Sequence, residues 1–181
     1  MPIACEGVTY KTRYRVYKFE SDEARARAEG WLNQVAGREL PADRPEGLVE
    51  VVEGEGNVLL NEGINNGIWP LVAGDNTVTP FDNDNARIGV GDSTTAADAT
   101  QTDLLGTNKA YKGMDAGYPT YGSNQKIVFR ATFGDDEANF DWNEWVVDNG
   151  SAAGVTLNRK VDNMGTKTQG SWTLEVSITL S

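Results

Sequence analysis

The stretch ARIGVGDSTTAAD (86–98) gathers glycines, an aspartate and hydroxyl side chains, the residue types of a phosphate cradle or of a serine nucleophile. Gly89 and Gly91 fit the start of a dinucleotide fingerprint, but Thr94 stands where its third glycine belongs. No P-loop motif occurs, no lysine is near to meet a phosphate, and Asp92 would oppose one. A nucleophilic Ser93 needs a base to take its proton, and the chain has no histidine. That absence excludes Ser-His-Asp and Cys-His machinery and removes the commonest zinc ligand. The stretch therefore reads as a short strand, Ile88 to Val90, whose glycines admit close backbone approach, followed by a turn capped by Asp92 or Ser93.

Asp82, Asn83, Asp84 and Asn85 place oxygen ligands at the alternating spacing of calcium loops. Arg87 occupies the position where an EF-hand needs glycine, and Ser93 the position of its closing glutamate, so an Asx-rich turn is preferred. Asp135, Asp136 and Glu137 read as a solvated turn between strands. Acidic residues are numerous enough for a glycosidase pair, but no pair is singled out by sequence. Trp142, Trp145 and Trp172 are candidates for a sugar platform, and large aromatics in strands are more often core. No catalytic residue, metal site or cofactor is assigned, and the chain is expected to be non-enzymatic.

The elements that must position these residues are mainly β. One domain is expected from 181 residues, with an N-terminal docking strand and helix over 1–53 and a β-rich body over 54–181. VTYKTRYRV (8–16) alternates, with Val8, Tyr10, Thr12, Tyr14 and Val16 on one face and Lys11, Arg13 and Arg15 on the other. Ser21 caps a predicted helix of about four turns that carries Ala24, Ala28, Trp31, Leu32 and Val35 on one side. RELPADRPEG is a loop and LVEVVE (48–53) a short strand. A second helix is predicted from an Asn57 cap through Leu60, Ile64 and Ile68 to Leu71, weakened by Gly63, Gly67 and Pro70, the last of which should kink or end it. Strands are predicted near 86–90, 109–114, 126–133, 140–147, 155–161 and 171–180, in an antiparallel β-sandwich or barrel with two N-terminal helices.

Sixteen Lys and Arg face 27 Asp and Glu, a formal charge of -11, which repels nucleic acid and anionic lipid at long range. A lone cysteine, Cys5, makes no internal disulfide. No apolar run reaches bilayer length and the start has no apolar stretch after its charges, so a soluble chain without a Sec-type signal is expected. Neither nucleic acid nor membrane is an expected partner.

From about Val51 onward the chain resembles a family of tailed-bacteriophage virion structural proteins. The phrases that carry the resemblance are VEGEGNVLLNEGI, ARIGVGDSTTAADATQTDL, YKGMDAGYP, IVFRATFGDDEANFDWNEW, LNRKVDNMGTK and WTLEVSITLS. The resemblance implies a β-rich particle component found in the virion and assembled in the host cytoplasm, either a capsid decoration protein or a tail accessory. The implied partners are other virion proteins, a major capsid or tail protein, with the chain itself present as a homo-oligomer or in many copies. A receptor- or glycan-binding module on the tail is the alternative, with a carboxylate-based hydrolase as a third. On an otherwise acidic chain, Tyr10, Lys11, Arg13, Arg15 and Lys18 are the expected partner-binding residues, carried on an extended strand that adds to a neighbour's sheet edge.

Overall fold

In the computed structural model, which describes residues 7–150 and 154–181, the alternating segments pair into two antiparallel sheets of five strands each. The first has the order β2 (Leu48–Glu55), β1 (Tyr10–Phe19), β10 (Ser171–Leu180), β7 (Lys126–Phe133) and β6 (Thr120–Ser123). The second has the order β3 (Val58–Leu59), β9 (Thr156–Thr166), β8 (Asp141–Asp148), β4 (Arg87–Gly91) and β5 (Lys109–Gly113). The two remain separate sheets packed face to face, so of the two predicted architectures the chain adopts the sandwich and not the barrel. Cys5 lies outside the described residues.

The interior forms where the apolar face of each strand meets the other sheet. Tyr14 and Val16 of β1, Phe129, Ala131 and Phe133 of β7, and Leu174, Val176 and Ile178 of β10 pack against Ile88, Val90, Trp145, Val147 and Leu157. Trp142 and Trp145 both reach this interior although they are an odd number of positions apart; the register of β8 against β9 is irregular between Trp142 and Glu144. Edge-to-face contacts join Phe133 to Trp142 (4.9 Å between centroids) and Trp142 to Trp172 (5.0 Å). All three tryptophans of the suspected sugar platform are therefore core.

Residues 10–55 are no extension. β1 is an inner strand, paired with β10 from Tyr10↔Leu180 to Phe19↔Ser171 and with β2 on its other edge. Removing residues 1–53 would strip most of two strands from one sheet, so the expected boundary at residue 53 does not divide the fold. The predicted first helix also differs. It begins at the Ser21 cap, whose hydroxyl accepts from the Ala24 N–H, but it breaks at Ala28 into α1 (Asp22–Arg27) and α2 (Glu29–Val35). Ala24, Ala28, Leu32 and Val35 pack on Tyr17 and Phe19, so the pair of helices covers the outer face of the first sheet.

The predicted second helix is replaced at its start by β3, which pairs Val58 and Leu59 with Arg159 and Asn158. Asn57 is not a cap. The rest is a π-helical turn (Gly63–Ile68) running into α3 (Trp69–Val72), with Pro70 in its first turn. Gly63 lets this turn lie against the backbone of β9, where a Cβ would come within 2.5 Å of the Leu157 carbonyl oxygen. Gly63→Ala is expected to lower stability by about 1–3 kcal/mol through overpacking against backbone that cannot yield. Gly113→Ala, where a Cβ meets open space, should stay within about 0.5 kcal/mol, and urea unfolding of the two variants checks the contrast.

Candidate functional site

The predicted basic face does not form a free cationic surface. Arg15 is buried (2% exposed); its Nε donates to Glu53 (2.5 Å) and its Nη1 to the Arg38 carbonyl (2.5 Å). Lys18 is buried as well, donating to Glu50 (2.7 Å) with its ammonium 4.3 Å from the Trp172 ring centre. Arg13 remains at the surface between Glu39 (2.8 Å) and Glu55 (3.3 Å). Tyr10 packs half-buried against the interior, and Lys11 is exposed. Glu50, Glu53 and Glu55 of β2 thus neutralise the cations that the sequence places beside them in β1. A strand with both edges paired has no backbone to offer a neighbour, so residues 8–19 are not an arm that adds to another sheet. Lys11 and Arg13 line an open groove with Glu39, Glu55 and Lys126, a wall of mixed charge.

Apart from Arg15, the residues that organise both outer faces are ones the sequence did not single out. Across the first sheet, Glu53, Arg15, Glu175 and Arg130 stand directly opposite one another on β2, β1, β10 and β7, a row of alternating sign. Each inner member also holds the helical cover. Glu175 accepts from the Gly37 N–H (2.9 Å), Arg15 donates to Arg38, and Arg130 donates to Glu29 of α2 (2.5 Å) and to Asp115 (2.9 Å). Arg25 of α1 reaches down to the same Asp115 (2.7 Å) and to the Thr132 and Thr173 hydroxyls. Arg130 also lies 4.1 Å from the Tyr118 ring centre. Burial pushes the Glu175 carboxyl up to about 6, against the opposing pull of the Gly37 N–H and of Arg15 and Arg130.

The opening stretch of glycines and hydroxyls belongs to the other outer face. After β4 the chain runs from Asp92 to Asn108 without a regular element and returns to where it left. The Asp92 carboxylate accepts from the Asn108 backbone N–H (3.1 Å) and side-chain amide (2.6 Å). This strap is held from beneath by Glu144 of β8 and Arg159 of β9, both with fully buried side chains and 2.7 Å apart. Glu144 accepts from Leu105 and Gly106 N–H, and Arg159 donates to the Thr95 and Ala96 carbonyls and to Gln101. Gly91 is required because a Cβ there would strike the Glu144 carboxylate. The close approach expected of these glycines is therefore made by a carboxylate rather than a phosphate. Ser93 closes a turn, its hydroxyl accepting from the Thr95 N–H.

The two acidic knots are turns. Asp82 accepts from the Asn85 backbone (3.1 Å) and side-chain amide (2.7 Å), while Asn83 donates to the Asp115 and Tyr118 carbonyls. Among the described residues no three His, Cys, Asp or Glu side chains are grouped to hold a metal ion. At residues 134–139 the organiser is Lys167, fully buried, whose ammonium donates to the Gly134 and Asp135 carbonyls and to Asn139. Burial pushes its pKa down. No helix of the described residues is long and apolar enough to cross a membrane. No family model, curated protein or solved structure matches the chain.

One weak local signal pointed to these clamps: Arg25 and Glu29 share the i,i+4 spacing of a helical ion pair. Arg130 and Glu175 occupy alternating strand positions that pattern alone assigns to solvent, whereas Glu144 shares the alternate positions of Trp142 and Val146, and Arg159 those of Leu157 and Val161. Arg159→Met is expected to cost about 3–5 kcal/mol, because it leaves Glu144 charged and unpaired in the interior. The double replacement Glu144→Gln with Arg159→Met should cost less than the sum of the single changes, as a double-mutant cycle by urea unfolding measures. For Glu175 the folded pKa lies above its ordinary 4.5, so its contribution is full below about pH 4.5 and is lost as pH rises through about 6. Relative to the parent, Glu175→Gln should therefore gain about 2 kcal/mol between pH 4.5 and pH 7.5, read from unfolding curves at both values.

Proposed function

We propose that the chain is a non-enzymatic structural component of a bacteriophage particle, most readily a decoration protein bound in many copies to the capsid exterior. The observation that supports this reading is what the chain does with its ionisable groups. Several of the charged groups that sequence reading singled out hold a surface segment against the sandwich: Asp92 closes a strap, Asp135 sits in a turn closed by Lys167, and Arg15 and Lys18 pair with glutamates of β2. Such a body has its loops anchored by buried charge and its interior filled by interlocked aromatics, which suits a part that must persist outside the cell with one cysteine in its sequence. The resemblance of residues 51–181 to virion proteins points the same way.

A receptor- or glycan-binding module on the tail, with residues 82–85 and exposed aromatics as its site, is the second reading. Asp82 and Asn85 bond to each other, and the aromatics exposed at the surface include Trp69 and Tyr121. With β1 paired on both edges, attachment to a partner does not use residues 8–19 as an added strand. Quantitative mass spectrometry of particles from the phage that encodes the chain is expected to find it at a high, fixed copy number on the head. Particles that lack it, or purified protein that turns over a substrate in a broad hydrolase screen, would overturn the reading.

A further inference from the structure

The helical cover of the first sheet ends at the turn of Gly37, which lies against Lys126 and Val128. Beyond this turn the outer face of the sheet stays open, and a groove of about 480 Å³ crosses it from the end of β2 to β7. Its floor is a register row. Lys11 of β1 and Lys126 of β7 both stand directly opposite Thr179 of β10, and Arg13 stands opposite Ser177 two residues nearer the helices. The groove also holds two carboxylates, Glu39 and Glu55, and Arg13 donates to both. Lys11 and Lys126 are therefore left without an ion pair among the described residues, whereas Arg15, Lys18, Lys109, Lys112 and Lys160 each have one. Lys126 gives one N–H to the Gly37 carbonyl (2.5 Å) and keeps two. At the β2 end the Asn57 side-chain nitrogen is buried with no acceptor among the described residues.

We infer that this groove binds a hydroxyl-rich molecule with a single carboxylate, an acidic sugar, whose carboxylate lies between Lys11 and Lys126 above Thr179. Neighbouring strands are about 4.8 Å apart, so the two lysines start about 10 Å apart across β10, a gap that their flexible stems close onto one carboxylate. The glutamates limit how much charge the ligand carries. A second anionic group would meet Glu39 or Glu55, while sugar hydroxyls can donate to those same carboxylates. Polyanions such as nucleic acid or an acidic peptide are disfavoured for this reason and by the formal charge of -11. One carboxylate at contact distance from two ammonium groups is governed by them, because charges more than about 8 Å away are screened in physiological salt. Ser177 and Thr179 supply hydroxyls for the rest of the ligand. The groove has the volume of a small-molecule site but is open to solvent, so the affinity should be modest, with a Kd of roughly 0.1–5 mM. All its residues come from one chain, and the inference does not rest on the particle-bound reading.

Titration of the isotope-labelled full chain with methyl glucuronide, neutral methyl glucoside and acetate, each to about 20 mM and followed by NMR amide shifts, tests it. The glucuronide is expected to saturate, to shift amides of residues 11–13, 126 and 177–179, and to bind at least about tenfold more tightly than the glucoside or acetate. Lys11→Ala and Lys126→Ala should each weaken it at least about fivefold, and Lys112→Ala, on β5 of the other sheet, should leave it unchanged. Lys126→Ala also releases the Gly37 carbonyl, so if its melting temperature falls the decision rests on Lys11→Ala, which removes no ion pair among the described residues. Retention of the parent, but not of Lys11→Ala, on a surface of glycans ending in glucuronate would show that the sugar is taken at the end of a chain; retention of neither would restrict the ligand to the free acid. No saturable shift up to about 20 mM, glucoside or acetate binding as tightly as the glucuronide, or binding unchanged in Lys11→Ala overturns the inference.

Discussion

A connection laid across the face of a β-sheet carries backbone N–H and C=O groups to a place water does not reach, and those groups must be paired. This chain covers much of both outer faces in that way and pairs the covering backbone largely with buried charges. Glu144 and Arg159 serve the strap over one sheet; Arg15, Glu175 and Arg130 serve the helices and the turn after them over the other. Glu144 and Arg159 each reach two main-chain groups of the strap, whereas over the first sheet Arg15 and Glu175 reach one each and Arg130 holds the Glu29 and Asp115 carboxylates.

The arrangement is costly in isolation. Moving a carboxylate and a guanidinium out of water takes several kcal/mol for each ion, and their attraction returns that only when further hydrogen bonds fill the remaining sites. The row Glu53–Arg15–Glu175–Arg130 meets the requirement only in part: each inner charge lies between two of opposite sign on neighbouring strands, but Glu175 Oε2 and Arg130 Nη1 are buried with no hydrogen-bond partner among the described residues. Glu175 still bears the cost of burial, which appears as its raised pKa. The pairs act to set position more than to add net stability. They determine where the strap and the helices lie, while the aromatic interior between the sheets supplies the larger apolar burial.

Internal pairing also shapes what is left at the surface. With Arg13, Arg15 and Lys18 matched by glutamates of β2, the β1 face that looks basic in sequence offers little net attraction to an acidic partner. Contacts with other molecules fall to features that the fold leaves unbalanced. Lys11, the uncharged β6 edge and the exposed Trp69 and Val72 of α3 are the clearest of them.

Periodicity alone placed most of the strands. Strands 126–133 and 171–180 were legible to the residue, because apolar and polar side chains alternate through both and one face of each is interior. The absence of histidine excluded the commonest nucleophilic machinery, and the tryptophans' place in strands identified them as core. Two-residue β3 and four-residue β6 are too short for a period to show, and the break at Ala28 sits inside an unbroken amphipathic pattern. Whether a charged residue on an alternating strand faces water or lies under a loop was decided only by the tertiary structure. Arg130 and Glu175 have the local pattern of solvent-facing residues, Glu144 and Arg159 fall in step with apolar neighbours, and the burial of all four depends on segments 15 to 138 residues away in sequence. The same holds for β1: its alternation specifies a strand, but pairing with β10 at the far end of the chain makes it an inner one, since hydrogen bonds between strands carry no mark in local sequence.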